Sequence, residues 1–358
     1  MTWIRWFSLL GLLLGSSPRA EACSVPVFRY ALERWKASPY EVLVYHRGKL
    51  AGQDKKQVTA LEHAALRTNI DITEIDLNKN PEPDLKRLWA KRGNEQQLPF
   101  VMIRYPHSEE QSPFLWSGKL AEFEVERLSD SPIRRQTLEL LGRGETAVLL
   151  FLRGEDEAEN QKMISFLVTE VQRLQKEIQL PGQTAEGPQI ETLIPLKVSF
   201  PILELSRTDE KESILIAMLL QTEEDLKSTR GPVLFPIFGR GRVLCGLHDD
   251  QVNQDEIEHV LRFLCGSCSC QVKELNPGMD LLVTADWEKI LEGPGETILE
   301  SPGLDEKSSV LPEMPVSSLL PPPSSLPPKD DRLWIWIALG ITLTVMLVSG
   351  LWLLRREK

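Results

Sequence analysis

Leu98-Pro99-Phe100-Val101-Met102-Ile103-Arg104 and Gly231-Pro232-Val233-Leu234-Phe235 decide how this chain is read. Each is a short apolar run opened by a proline. A compact apolar run between turn signals reads as a buried strand. Proline has no N–H for a ladder, so it belongs at the first residue of such a strand. Working outward from Pro99, Glu41–His46 is an apolar strand, and 58–67 has helical spacing through Val58, Leu61, Ala64 and Ala65. Ile70–Leu77 alternates as a strand, 84–91 is a short helix, 114–116 a strand and 132–141 a helix. Around Pro232 the same order returns. Ala147–Leu152 is a strand and 155–180 a long helix with Met163, Phe166, Leu167, Val171, Leu174 and Ile178 on one face. Val198–Leu205 is a strand, 213–227 a helix, 242–247 a strand and 255–264 a helix.

Each half therefore reads β-α-β-α-β-β-α. A strand–helix–strand unit makes a parallel pair through a right-handed crossover, and the closely spaced strands that follow make an antiparallel pair. This α/β order, with Pro99 and Pro232 each opening a third strand, resembles the thioredoxin fold, twice. The resemblance implies two thioredoxin-like domains, 23–143 and 144–291, each with a sheet of about four strands and helices on both faces. It also implies that Pro99 and Pro232 begin equivalent strands and that at least one is cis. Two prolines strain the pattern. Pro201 is tolerable if its strand lies at a sheet edge, and Pro236, inside VLFPIFG, requires a bulge. Thioredoxin-like oxidoreductases carry Cys-x-x-Cys after the first strand, where a helix N-terminus lowers one thiol's pKa and the second thiol resolves the mixed disulfide. The corresponding loops here, Arg47-Gly48-Lys49-Leu50-Ala51-Gly52 and Arg153-Gly154-Glu155-Asp156, contain no cysteine. The resemblance therefore implies a scaffold and assigns no catalytic residue.

The cysteines are Cys23, Cys245, Cys265, Cys268 and Cys270, the last three in a C-x-x-C-x-C cluster at a helix end. Three readings stand. One is a structural disulfide, within Cys265-x-x-Cys268 or out to Cys245. Another is a soft-metal site for Cu or Zn, with Cys245, Cys265, Cys268 and Cys270 as ligands. The third is a redox dithiol. All three expect these four cysteines to gather in one region. Cys23 is a candidate for lipidation or redox chemistry, with ordinary signal cleavage before it as the leading reading. His248-Asp249-Asp250 reads as a solvated loop rather than an acid/base or metal cluster, and Trp287 as packing in a final strand–helix cap. G-x-S-x-G, H-E-x-x-H and P-loop patterns are absent. The stretches CSVPVFRYALERW and CSCQVKELNPGMDLL resemble an uncharacterised set of bacterial envelope proteins, a resemblance that implies no activity.

The ends state a topology. Residues 1–22 read as a signal peptide, with Arg5, the apolar run Phe7–Leu14 and Ala20-Glu21-Ala22. Residues 292–332 form a Pro/Ser-rich stalk without apolar period, expected to be disordered and to favour extended polyproline II. Residues 333–354 are uncharged and apolar, long enough for the roughly 20-residue span of a bilayer core. The tail 355–358 carries Arg355, Arg356 and Lys358 and is placed in the cytoplasm by the positive-inside rule. The expectation is a single-pass membrane protein with an extracytoplasmic N-terminus. A formal charge of -11 argues against nucleic acid as a partner. The expected partners are the membrane, through the C-terminal helix, and another envelope protein. The function expected is a protein-binding or scaffold module without a cofactor; the alternative is thiol-redox or Cu/Zn handling by Cys265, Cys268 and Cys270.

Overall fold

The computed structural model describes residues 24–183, 187–268 and 272–292. The expected signal peptide, Cys23, Cys270, nearly all of the stalk, the apolar span and the tail lie outside the described residues. Among the described residues no helix is long and apolar enough to cross a membrane.

The fold is mixed α/β with two sheets. After helix α1 (Val27–Arg34), the first half runs β1 (Tyr40–His46), α2 (Gly52–Ala65), β2 (Ile70–Asp76), α3 (Pro83–Arg92), β3 (Phe100–Arg104), β4 (Phe114–Lys119), α4 (Val125–Ser129) and α5 (Pro132–Gly142). The second runs β5 (Val148–Leu152), α6 (Glu157–Glu177), β6 (Ile202–Leu205), α7 (Ser213–Leu219), β7 (Val233–Phe238), β8 (Arg242–Val243), β9 (Leu247–His248) and α8 (Gln254–Cys265), closing with β10 (Met279–Asp280) and α9 (Trp287–Leu291). The first sheet has the order β2-β1-β3-β4, with β1 and β2 parallel and β3 antiparallel to both β1 and β4. The second has the order β10-β8-β7-β5-β6, with β5 and β6 parallel and β7 antiparallel to β5 and β8. Pro99 and Pro232 each stand immediately before the third strand of their half, and the Leu98–Pro99 bond is cis while Gly231–Pro232 is not.

Several elements differ from the sequence expectation. Helix α2 begins at Gly52 rather than 58, because its first turns are solvent-facing and polar and give no apolar period. The helix expected over 213–227 stops at Leu219; Thr222 Oγ1 donates to the Leu219 carbonyl at 2.7 Å, and a separate 3₁₀ turn covers Asp225–Lys227. Strand β6 starts only after Pro201 and lies at the sheet edge, where a proline is tolerable. Pro236 sits in a central strand opposite Leu149. Leu149 N–H goes to Pro201 O at 2.8 Å, on the side of β6, so the Leu149–Pro236 pair directs its ladder groups away from each other. The missing N–H of Pro236 faces the opposite neighbour, and the strand expected there over 242–247 is broken into β8 and β9. Leu244 N–H still donates to Pro236 O at 2.9 Å, while Gly246 N–H turns to Glu223 Oε1 at 2.8 Å.

The central strands are buried on both faces. Along β5, Val148, Leu150 and Leu152 enter one apolar cluster, while Leu149 and Phe151 enter another. The first cluster also takes Tyr40, Val42 and Val44 of β1, Val101 and Ile103 of β3, and Phe235 and Ile237 of β7. One apolar core therefore joins the two sheets. The opposite face of β1 packs Leu43 and Tyr45 on Leu88 and Trp89 of α3, and the opposite face of β5 packs on α1, α6 and α8.

The first and last described segments cross between the halves. Helix α1 precedes the first sheet in sequence but packs with the second. Val27 N–H donates to Gly266 O and Cys268 N–H to Val25 O, each at 3.0 Å. Seven of its eight residues are buried, including Arg29 and Glu33. Arg29 Nη2 donates to Ile194 O at 2.5 Å and Pro195 O at 2.8 Å, and Glu33 accepts from Glu191 N–H at 3.0 Å and Thr192 Oγ1 at 3.0 Å. Beyond β10 the chain returns to the first half, where Ala285 N–H meets Arg67 O at 2.9 Å. Trp287 begins α9 and packs at the edge of the shared core.

Candidate functional site

The positions expected to carry chemistry in a dithiol enzyme are the loop after the first strand and the proline-opened strand beside it. In the first half that loop is held by an ion-pair network. Arg47 meets Glu95 through two contacts, Nε–Oε2 at 3.2 Å and Nη2–Oε1 at 2.7 Å, and donates to Asn78 Oδ1 at 3.1 Å. Asp76 Oδ1 accepts Gly48 N–H at 3.0 Å, and Gly48 takes φ +66°, a conformation that costs glycine nothing. Glu95 also accepts from Trp89 Nε1 at 3.1 Å, and Trp89 stacks on Tyr45 with centroids 4.9 Å apart. Arg47 thus spans from the loop to the turn that leads into cis Pro99. Leu98, partly exposed, offers a carbonyl that accepts no hydrogen bond from the described residues.

In the second half the equivalent position is closed. The carbonyl of Gly231, the residue before Pro232, accepts Arg207 Nη2 at 2.8 Å, and Arg207 Nε donates to Arg153 O at 3.0 Å. Gly154 is clamped by Asn160, which accepts its N–H at 2.7 Å and donates to its carbonyl at 3.0 Å. A Cβ on Gly154 would lie 2.6 Å from the carbonyl carbon of Gly231 and the nitrogen of Pro232, so the loop packs backbone to backbone against the proline turn. Sequence reading missed Arg207 and Asn160. Each is a polar residue in an ordinary setting, with no motif to single it out.

Of the candidate cysteines, Cys245, Cys265 and Cys268 all border the apolar cluster between the second sheet and α1, α6 and α8. Cys265 ends α8, Cys268 lies where the chain pairs with Val25, and Cys245 occupies the break between β8 and β9. Burial pushes the Cys245 thiol up to about 12, reinforced by the carboxylates of Glu223 and Glu256. Burial pushes Cys265 up to about 12 as well. Burial thus disfavours the thiolate form that nucleophilic attack or metal ligation requires. Among the described residues no group of three or more His, Cys, Asp or Glu side chains is arranged to hold a metal ion. Cys23 and Cys270 lie outside the described residues. We predict that Cys245 and Cys265 of the native protein resist iodoacetamide at pH 7.5 and react at least tenfold faster once the chain is unfolded (about 1.4 kcal/mol of protection). Mass mapping after timed labelling checks this, and rapid native labelling of either would show an accessible thiolate.

His248 is more structured than a solvated loop requires. Its Nδ1 lies 2.9 Å from Asp249 Oδ2 and its Nε2 3.2 Å from Asp225 Oδ2, so the ring ties the turn at Asp225 to the start of the next one. Burial opposes its charge, and the two carboxylates more than offset that, holding its pKa above the usual histidine value. With both nitrogens committed to carboxylates it fastens two turns and leaves no free base. Asp250 is outside this pair of contacts.

No protein-family model matches the chain, and no curated protein matches it.

Proposed function

We propose that this chain is a membrane-tethered, extracytoplasmic protein-binding module built from two thioredoxin-like halves that lack a dithiol site. Both halves follow one plan: a parallel strand–helix–strand pair, then two antiparallel strands, with a proline before the third. The observation that carries the binding reading is the contrast at the two prolines. The Leu98 carbonyl beside cis Pro99 is open, while its counterpart on Gly231 is occupied by Arg207. A backbone acceptor left without a partner among the described residues, at a strand entrance, suits an extended polypeptide, whose N–H groups pair with it as an added strand does. The first half is then the reader and the second its support. The partner class is an extended segment of another envelope protein. The alternative, thiol-redox or Cu/Zn handling, would act through Cys265, Cys268 and Cys270; burial disfavours the Cys265 thiolate it would need.

A photo-crosslinking residue at Gln97, two before Pro99, tests this against the same residue at Arg230, two before Pro232. In native membranes Gln97 should give a discrete crosslinked partner and Arg230 should not. Equal labelling from both positions, or none from Gln97, would remove the first-half edge as the site.

A further inference from the structure

We propose that the chain's own segment Glu296-Thr297-Ile298-Leu299-Glu300 docks in the depression lined by Lys36, Arg67 and Trp287, so that the start of the stalk is fastened to the globular part. The depression has a volume of about 510 Å³ and is formed where the linker after α1, the turn after α2 and the start of α9 converge. Lys36 and Arg67 are exposed, and neither side chain holds an ion pair or hydrogen bond among the described residues. Arg240, also on its wall, donates its guanidinium to the carbonyls of Leu32 and Glu33, both at 2.8 Å. Of the two acids present, Asp286 is engaged in capping α9 through Lys289 N–H at 3.2 Å, and Glu288 faces the charge of Arg240 on the same wall. Beside the two free cations, Leu66 is 81% exposed and Trp287 is half-buried. With Arg240 set against Asp286 and Glu288, the surface still offers Lys36 and Arg67 beside an uncovered apolar patch.

The chain itself supplies the complement. The described structure ends at Glu292, one residue past α9, the helix whose first turn lines the depression. Next come Gly293-Pro294-Gly295, a turn-forming sequence, and then Glu-Thr-Ile-Leu-Glu, two acids bracketing two large apolar residues. Three turn residues span at most roughly 10 Å, so the segment starts within reach of the wall it leaves. A tether this short gives a millimolar effective concentration, so a contact too weak to hold a free peptide still stays closed within one chain. Exposed ion pairs contribute little singly and are screened by salt; Ile298 and Leu299 supply the apolar burial that makes the contact specific. The consequence is orientation: with its first residues docked, the stalk leaves the globular part in one direction rather than from a free hinge at residue 293.

Carbodiimide coupling of the full-length chain, which joins Lys amine to carboxylate with loss of water, reads the contact directly. In dilute protein mixed from ¹⁵N-labelled and unlabelled pools, peptide mapping should find Lys36 joined to Glu296 or Glu300 within single molecules. The yield should fall several-fold at high salt and in the Arg67→Glu variant. A synthetic peptide spanning residues 294–301 should bind the full-length Glu296→Lys, Glu300→Lys variant several-fold better than wild type, whose site is already filled. Absence of the Lys36 product, coupling only between molecules, or equal peptide binding by both proteins would overturn the proposal.

Discussion

Replacing Arg134 by methionine is expected to cost about 3–5 kcal/mol of stability, because it strands several buried hydrogen-bond acceptors at roughly 1–3 kcal/mol each, less whatever neighbouring groups recover. Arg134 is 2% exposed and lies in α5, between the two sheets. Its Nη1 donates to Leu128 O at 2.7 Å and Leu282 O at 3.1 Å, its Nη2 to Arg127 O at 2.9 Å, and its Nε to Ser131 Oγ at 2.9 Å. One guanidinium thus serves α4, the turn into α5 and the segment after β10. Burial pulls its pKa down to about 10, opposed chiefly by the carboxylate of Glu212 from the second half. Glu212 is fully buried and caps α5 from outside by accepting Ile133 N–H at 2.8 Å; burial raises its pKa. Methionine fills much of the volume, so the loss measures stranded acceptors and an uncompensated acid rather than a cavity. Glu212→Gln keeps an acceptor for Ile133 and removes a charge that burial already disfavours, so it should cost about 1 kcal/mol. Urea unfolding of the two single variants and the double variant separates these terms. If Arg134→Met costs under about 1 kcal/mol, the guanidinium is not holding the junction and the shared apolar core alone joins the two halves.

That junction marks where reading the sequence reaches its limit. Pro99 and Pro232 were legible because proline's missing N–H restricts it to a strand's beginning whatever the tertiary context. The apolar runs at β1 and β5 were legible as strands. What covers each face was not, because a run apolar on both sides does not record which neighbour it meets. The shared core of the two sheets therefore leaves no local mark. Helix α1 was obscured for the opposite reason: VFRYALER carries Arg29, Glu33 and Arg34, the pattern of a half-exposed helix. The charges of Arg29 and Glu33 are met by the segment around 191–195, some 160 residues away in sequence. The break between β8 and β9 was half legible. Pro236 signalled an irregularity, but whether the strand itself bulges or its neighbour breaks depends on which side the lost N–H faces. At the candidate site, the absence of cysteine from both loops was readable at once. The open carbonyl of Leu98 and the closed one of Gly231 were not, since they differ by Arg207, a residue outside any local pattern.

Gly154→Cys is expected to destabilise the protein by about 1–3 kcal/mol without creating a reactive thiol, the range for forcing atoms into a packed interior. The substitution places a side chain where a thiol would follow the first strand of the second half. The space for it does not exist: the Cβ alone would stand 2.6 Å from Gly231 C and Pro232 N, which are backbone atoms with no rotamer to yield. Relief requires the Gly231–Pro232 turn to move, and that turn is tied by Arg207 to Gly231 O and by Glu155 N–H to Arg230 O at 3.1 Å. Gly154→Ala should cost nearly as much, because the clash begins at Cβ and not at sulfur. Gly48→Ala in the first half is the informative contrast. Its built Cβ meets only Asn78 Nδ2 at 3.9 Å, so its cost should be that of its φ of +66° alone, about 1–2 kcal/mol. Thermal unfolding of the three variants, with thiol titration of the cysteine variant, checks the set. If Gly154→Ala proved neutral, the backbone contact between loop and proline turn would be looser than 2.6 Å implies. The second half would then have room for a side chain at the position where dithiol enzymes place theirs. If instead it costs as expected, Cys-x-x-Cys cannot be installed there by side-chain replacement alone, since the backbone of the loop occupies the space that chemistry would need.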